Sequence, residues 1–246
     1  MVGGPGHPAV ITLIVAPGHL APGTIAPVPE EEAHHLRVRR GADAEPVRLV
    51  DGRGTLATGA VRWQGREATV EVEQVERRPP PPTLVLAAGA GDRDRFLLLV
   101  EKAAELGATL VVPLATERSG SVATGVRASH LPRLQRRALE ALKQCGAAWA
   151  PEVAPPEDLA HFLARPLPGA RWLADADGAV PPAGGADALA VAVGPEGGFT
   201  DTERAQLVAG GFSPVRLGPN ILRFDTAAIA ALTAAWVARQ RESHGS

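Results

Sequence analysis

The chain of 246 residues has no tyrosine, one cysteine, one methionine and two lysines. Five Phe and four Trp complete its aromatic content, so any nucleic-acid contact depends little on base stacking. The lone Cys145 excludes an intramolecular disulfide and any thiolate metal cluster. No base partner is marked for a reactive thiol, and the residue reads as structural. Lys102 and Lys143 apart, the cations are arginines, whose planar fork of donors suits phosphate. A net charge of −2 and a pI near 6.4 leave no global basic footprint, which argues against a nucleic-acid coat protein. The local clusters Arg37, Arg39, Arg40 and Arg127, Arg133, Arg136, Arg137 read, each alone, as solvated faces. No apolar run is long enough to cross a bilayer. The run 9–16 lies between Pro8 and Pro17 without a basic leader, so it reads as a strand and the protein as cytoplasmic. There is no G-x-x-x-x-G-K-[ST] phosphate loop and no G-x-S-x-G elbow. His34 and His35 are adjacent, point about 100° apart on a helix, and do not converge on a metal.

Pro79-Pro80-Pro81-Pro82 divides the chain, because four prolines favour an extended connector and cannot enter a helix or a central strand. Residues 1–78 hold short strand-like runs at 11–15, 46–50, 57–63 and 68–75, with a short helix at 30–37, and read as a small β-barrel. Residues 83–246 alternate strand and helix signals. Strands are expected at 83–88, 109–113, 171–174, 189–193 and 214–217, and helices at 92–106, 131–144, 157–164 and 226–239. Thr200-Asp201-Thr202-Glu203 is a capping box opening one more helix. The alternation predicts an α/β domain with a mostly parallel sheet and helices on both faces.

Two loops near the C-terminus carry the chemistry. Gly194-Pro195-Glu196-Gly197-Gly198-Phe199-Thr200 and Leu217-Gly218-Pro219-Asn220-Ile221-Leu222-Arg223-Phe224-Asp225-Thr226-Ala227 each follow a strand and precede a helix. Ligands of open parallel sheets bind at such strand ends. Glycine lets main chain approach a ligand, and proline stiffens the turn. A tight turn without a ligand explains either loop alone; the pair, about one strand–helix unit apart, points to one pocket built largely from backbone. Thr226 is explained as a helix cap. Arg223 and Asp225 have no such local explanation and are candidate site residues. Gly89-Ala90-Gly91 hints at a dinucleotide fingerprint, but Asp94 stands where the third glycine belongs, and an ordinary strand–helix turn explains it.

These two loops closely resemble the RsmE family, 16S ribosomal RNA (uracil-N3) methyltransferases of the SPOUT superfamily. The resemblance extends along the chain: Glu101-Lys102-Ala103-Ala104-Glu105-Leu106-Gly107, Pro113-Leu114-Ala115-Thr116-Glu117-Arg118-Ser119, Gln144-Cys145-Gly146 with Pro151-Glu152-Val153, His34-His35-Leu36 and Asp51-Gly52. It implies an N-terminal PUA-like, RNA-binding barrel and a SPOUT domain with a trefoil knot. It also implies a homodimer and S-adenosylmethionine as methyl donor, with no metal. The donor pocket maps onto the Leu173–Ala174 strand end, then Gly194, Pro195, Glu196, Gly197 and Gly198, then Leu217, Gly218, Ile221, Leu222 and Thr226. The chain departs from the family pattern with Ala147 where Arg often stands, Asn220 where Arg is common, and Asp225 where Glu is usual.

The resemblance implies methyl transfer to N3 of a uridine in the small ribosomal subunit. Loss of the N3 proton makes that nitrogen nucleophilic; Arg223 would stabilise the uracil anion, and Asp225 would orient Arg223 or accept the proton. Arg37, Arg39, Arg40, Arg118 and Arg136 would place the RNA by its phosphates. Other readings stay open: the same fold acting on another RNA, a non-catalytic RNA-binding assembly factor, and a nicotinamide oxidoreductase resting on Gly89-Ala90-Gly91.

Overall fold

A computed structural model describes residues 10–18, 20–39, 42–119, 125–182, 184 and 187–240. Contacts divide the chain into two compact units, Met1–Pro80 with Leu142–Trp149, and Pro81–Ala141 with Ala150–Ser246. Nothing in the sequence marks the eight residues from Leu142 as belonging with the first unit.

The first unit is a five-stranded sheet. Its strands are β1 (Ile11–Ile14), β2 (Ile25–Pro27), β3 (Pro46–Val50), β4 (Thr55–Gln64) and β5 (Glu67–Arg77), in the order β1-β3-β4-β5-β2. The β1–β3 pairing is parallel and the rest antiparallel. Strand β2, three residues ending in Pro27, carried no sequence signal; it is an edge strand, where proline costs no central ladder bond. Helix α1 (Glu30–Val38) buries Ala33 and Leu36 in a core with Leu13, Val47, Leu49, Val61, Val70 and Val72. In the β3–β4 turn the Asp51 carboxylate accepts the N–H of Arg53 (2.7 Å) and of Thr55 (2.9 Å). Gly54 is required there: a Cβ would lie 2.6 Å from the Trp149 ring.

The second unit is an α/β layer structure. Its strands are β6 (Leu84–Gly89), β7 (Leu110–Ala115), β8 (Glu152–Val153), β9 (Glu157–Asp158), β10 (Ala170–Ala179), β11 (Leu189–Val193) and β12 (Ser213–Val215). All pairings are parallel, in the order β12-β10-β11-β6-β7-β8, with β9 also on β7. Side chains alternate between faces along a strand. Leu84, Leu86 and Ala88 of β6, and Leu189, Val191 and Val193 of β11, enter one core with α2 (Arg93–Glu105), α3 (Leu131–Cys145) and α6 (Phe224–Gln240). Val85 and Ala87, with Ala190 and Ala192, enter the opposite core with α4 (Leu159–Leu163) and α5 (Asp201–Ala209). Both faces being covered explains why β6 and β11 are continuous apolar runs. Asp92 caps α2, its carboxylate accepting the N–H of Asp94 and Arg95. The expected strand at 171–174 runs on to Ala179, and the last helix starts two residues early, at Phe224.

Candidate active site

Three neighbouring strands deliver three loops to one end of the second sheet. Strand β10 pairs with β12 through Trp172, Leu173 and Ala174, leaves the ladder, and rejoins it at Ala179. Gly178 permits this return, since a Cβ there would lie 2.5 Å from the Val215 nitrogen. The excursion places Asp175 and Ala176 at the strand end. Asp175 accepts the N–H of Asp177 (2.9 Å) and the Arg204 guanidinium (2.5 Å). Burial pushes the Asp175 carboxyl up, but these hydrogen bonds and the charge of Arg204 outweigh it and hold the group below the usual carboxylate range.

The second loop leaves β11 at Val193. Gly198 donates to the Pro195 carbonyl (2.7 Å), closing a turn in which Gly198 takes φ +71°. Gly194 is crowded: a Cβ would sit 2.8 Å from the Phe199 nitrogen. The loop ends in the expected capping box, with Thr200 N–H donating to Glu203 Oε2 (2.9 Å) and Glu203 N–H to Thr200 Oγ1 (3.3 Å). Beneath the loop lies the glycine pair of the β6–α2 turn. A Cβ on Gly89 would fall 2.4 Å from Pro195 N, and one on Gly91 2.2 Å from Glu196 Oε2. Glu196 also faces Arg95, 3.8 Å away on the first turn of α2. Gly89-Ala90-Gly91 is thus a seat for the Pro195-Glu196 segment, a role its sequence did not disclose.

The third loop runs from Arg216 to Arg223 and feeds directly into α6. Together the three loops enclose a cavity of about 430 Å³. Of the residues singled out from sequence, Gly194, Pro195, Glu196, Gly197, Gly198, Leu217, Gly218, Ile221, Leu222 and Arg223 all line it. Leu173 does not: it is fully buried in the core under α4 and α5. Thr226 is exposed, stands within the first turn of α6 rather than capping it, and is not in the wall. Asp225 also lies outside the wall, and its Oδ1 is buried without a hydrogen-bond partner. Arg223 is exposed on the wall and makes no ion pair with Asp225 among the described residues.

Sequence reasoning missed Arg95, Asp175, Ala176 and Arg216, which complete the wall. Asp175 had a faint signal, an Asp-Ala-Asp-Gly run after a strand; Arg95 and Arg216 had none, because only the tertiary fold brings them to the loops. Of the expected RNA contacts, Arg37 donates to the Arg66 carbonyl, Arg39 is exposed, and Arg136 pairs with Glu140 at 2.9 Å. Arg118 lies on the Gly197 and Phe199 carbonyls. Arg40 lies outside the described residues. Among the described residues no cluster of three or more His, Cys, Asp or Glu side chains is placed to hold a metal ion, and no helix is long and apolar enough to cross a membrane.

The cavity has a size in the range of small-molecule sites. Main-chain donors and acceptors of Gly194–Gly198 and Leu217–Leu222 suit the edges of an adenine, and Leu217, Ile221 and Leu222 suit its faces. Asp175 and Glu196 supply negative charge for a sulfonium or an ammonium group, and Arg95 and Arg216 positive charge for a carboxylate. These features fit S-adenosylmethionine.

Residues 78–236 match the family model described as an RNA methyltransferase domain. The chain is 32% identical over 236 residues to a Synechocystis ribosomal RNA small subunit methyltransferase E, covering 89% of this chain and 75% of that one. Among solved structures, a ribosomal RNA small subunit methyltransferase E from Neisseria gonorrhoeae bound to S-adenosyl methionine superposes with a TM-score of 0.82 at 27% identity, over 92% of this chain and 96% of that one. A methyltransferase of Legionella pneumophila with bound SAM gives 0.81 at 28% identity, over 91% and 96%.

Proposed function

The chain belongs to the ribosomal RNA small subunit methyltransferase E family of RNA methyltransferases, and from that premise we propose that it methylates N3 of a uridine in 16S ribosomal RNA. The observation that carries this reading is the single cavity built from both glycine loops, with Arg223 on its wall. Bound there, S-adenosylmethionine supplies a methyl group on a positively charged sulfur, already activated for transfer to a nitrogen nucleophile.

The protein's work is alignment and charge. Gly194–Gly198 and Leu217–Leu222 hold the adenosyl portion through main chain, fixing the geometry of attack, which is catalysis by proximity. The uracil N3 edge is covered in a base pair, so the target base must be unpaired or extruded to reach the cavity. Arg223 hydrogen-bonds uracil O2 or O4 and stabilises the anion left when N3 releases its proton to solvent water. Asp225, in the first turn of α6 with a buried unpaired oxygen, is assigned to orienting the Arg223 guanidinium once the base is bound. Arg37, Arg39, Arg40 and Arg136 place the RNA through phosphates, the first three from the N-terminal, RNA-binding unit.

The protein acts as a homodimer in the cytoplasm. The dimer is supported by an uncovered apolar face on α6, where Ile229, Ala230 and Ala234 are only partly buried and Trp236 and Val237 are 48% and 40% exposed. The strand order β12-β10-β11-β6 is compatible with the trefoil knot of the family.

The test is nucleoside mass spectrometry of small ribosomal subunits incubated with the protein and deuterated S-adenosylmethionine. Labelled 3-methyluridine is expected. Label on another nucleoside, or on transfer RNA alone, refutes the substrate assignment.

A further inference from the structure

Three of the five residues 194–198 along the cavity wall are glycine, which supplies no side-chain packing of its own to hold the loop in shape. Its order must come from the other side. Two charged side chains are found there, one from the turn after β7 and one from α5. Arg118 lies across the outside of the loop, donating to the carbonyl oxygens of both Gly197 and Phe199. Its stem rests on Gly197, where an added Cβ would be 3.2 Å from Arg118 Cδ. Glu203 is buried, only 6% exposed. One of its oxygens takes the N–H of Thr200, at the loop's end; the other takes the N–H of Glu117, beside Arg118, also at 2.9 Å. The 116–119 turn is itself fixed. The buried Ser119 hydroxyl accepts the N–H of Thr116 (2.8 Å) and donates to its carbonyl (3.0 Å).

We propose that Arg118 and Glu203 form a clamp that pre-shapes the Gly194–Thr200 loop for the methyl donor, so that Arg118 is a positioning residue rather than an RNA contact. The inference rests on the proposed function for the identity of the ligand, but the clamp itself is a property of the free protein. A loop with three glycines loses much conformational entropy on ordering. Charged hydrogen bonds that hold it before binding remove that cost from the binding step, which appears as affinity. Neither side chain lines the cavity, so neither touches the transferred group.

The experiment uses the full chain and three variants, Arg118→Ala, Arg118→Lys and Glu203→Gln. Amide hydrogen exchange is followed at residues 196–199 without ligand. Donor Kd is measured by calorimetry, KM and kcat by methyl transfer, and RNA Kd on small-subunit RNA. In Arg118→Ala, exchange across 196–199 is expected to rise about tenfold with the rest of the sheet unchanged, and donor Kd and KM about tenfold with kcat at saturating donor nearly constant. RNA affinity stays as it was. Arg118→Lys, which keeps a donor for the Gly197 carbonyl, recovers most of both losses. Glu203→Gln, which puts an amide against an N–H, loosens the same residues. Unchanged exchange at 196–199 in Arg118→Ala and Glu203→Gln overturns the clamp. So does a loss of RNA affinity with donor affinity intact, which returns Arg118 to the phosphates. Failure of the unsubstituted protein to bind the donor refutes the proposed function instead, and the exchange measurement still decides the clamp.

Discussion

Gly89→Ala adds one methyl group at a position that touches no ligand, yet it should damage donor binding. Gly89 ends β6 beneath Pro195, and a Cβ there would lie 2.4 Å from Pro195 N, 2.5 Å from Cδ and 2.8 Å from Cα. These distances fall about 1 Å short of ordinary van der Waals contact. The obstructing atoms belong to backbone and a proline ring, which do not rotate away, and the opposite side is a closed core, with Ala88 and Leu114 fully buried. Pro195 must therefore move by about 1 Å, carrying Glu196 and the glycine turn with it. Overpacking of this kind costs about 1–3 kcal/mol, or roughly 2–4 °C of melting temperature per kcal/mol for a chain of this size. The loss of donor affinity should be of the same order, up to about a hundredfold, since each 1.4 kcal/mol is tenfold in Kd. Calorimetry with S-adenosylmethionine and thermal unfolding read the two effects. Gly169→Ala is the control, since no atom lies within 4 Å of its Cβ position and it has no positive φ. Wild-type donor affinity and melting temperature in Gly89→Ala would refute the seating argument.

Other substitutions address separate parts of the account. Arg223→Ala should lower kcat by about 10²–10³-fold while leaving donor Kd nearly unchanged, because its guanidinium is assigned to developing charge on the base; wild-type turnover would remove that role. The Asp175 carboxyl sits below its usual range in the folded protein, so the unfolded chain takes up its proton first as pH falls. The stabilising contribution of Asp175 with Arg204 is therefore complete above the ordinary carboxylate range and is lost on acidification through and below it. Arg204→Ala should flatten that part of a melting-temperature–pH curve, and an unaltered curve contradicts the pairing. Trp236→Glu places a charge on the uncovered α6 face and should convert a dimer to monomer in light scattering; a dimer that persists moves the interface elsewhere.

Much of the second unit was legible because its signals are local. Leu189–Val193 is a continuous apolar run, and the Thr200–Glu203 capping box and the Asp92 cap mark helix starts by side chains that bond the nearest N–H groups. The cavity's glycine loops were legible for the same reason: composition alone says that backbone is exposed there. Placements decided across the fold were not legible. Asp175 reaches the cavity because β10 leaves its ladder after Ala174, and Gly178 allows the return only in view of Val215. Arg118 was expected to contact RNA phosphates and is engaged by two carbonyls 79 and 81 residues away. The Gly89-Ala90-Gly91 turn was explained as ordinary, since its reason, Pro195 and Glu196, lies a hundred residues on. Thr226 was expected as a cap and falls inside the helix, because α6 begins at Phe224, whose ring stacks at 6.4 Å on Phe96.

A crystal structure of the protein grown with S-adenosylmethionine tests the central claim most directly. Density for the donor between residues 174–176, 194–199 and 216–223, its adenine within hydrogen-bond distance of main-chain atoms and its methyl group open toward Arg223, is the result expected. Donor density at another place on the chain, or a cavity filled by protein side chains with no donor bound, would contradict the account.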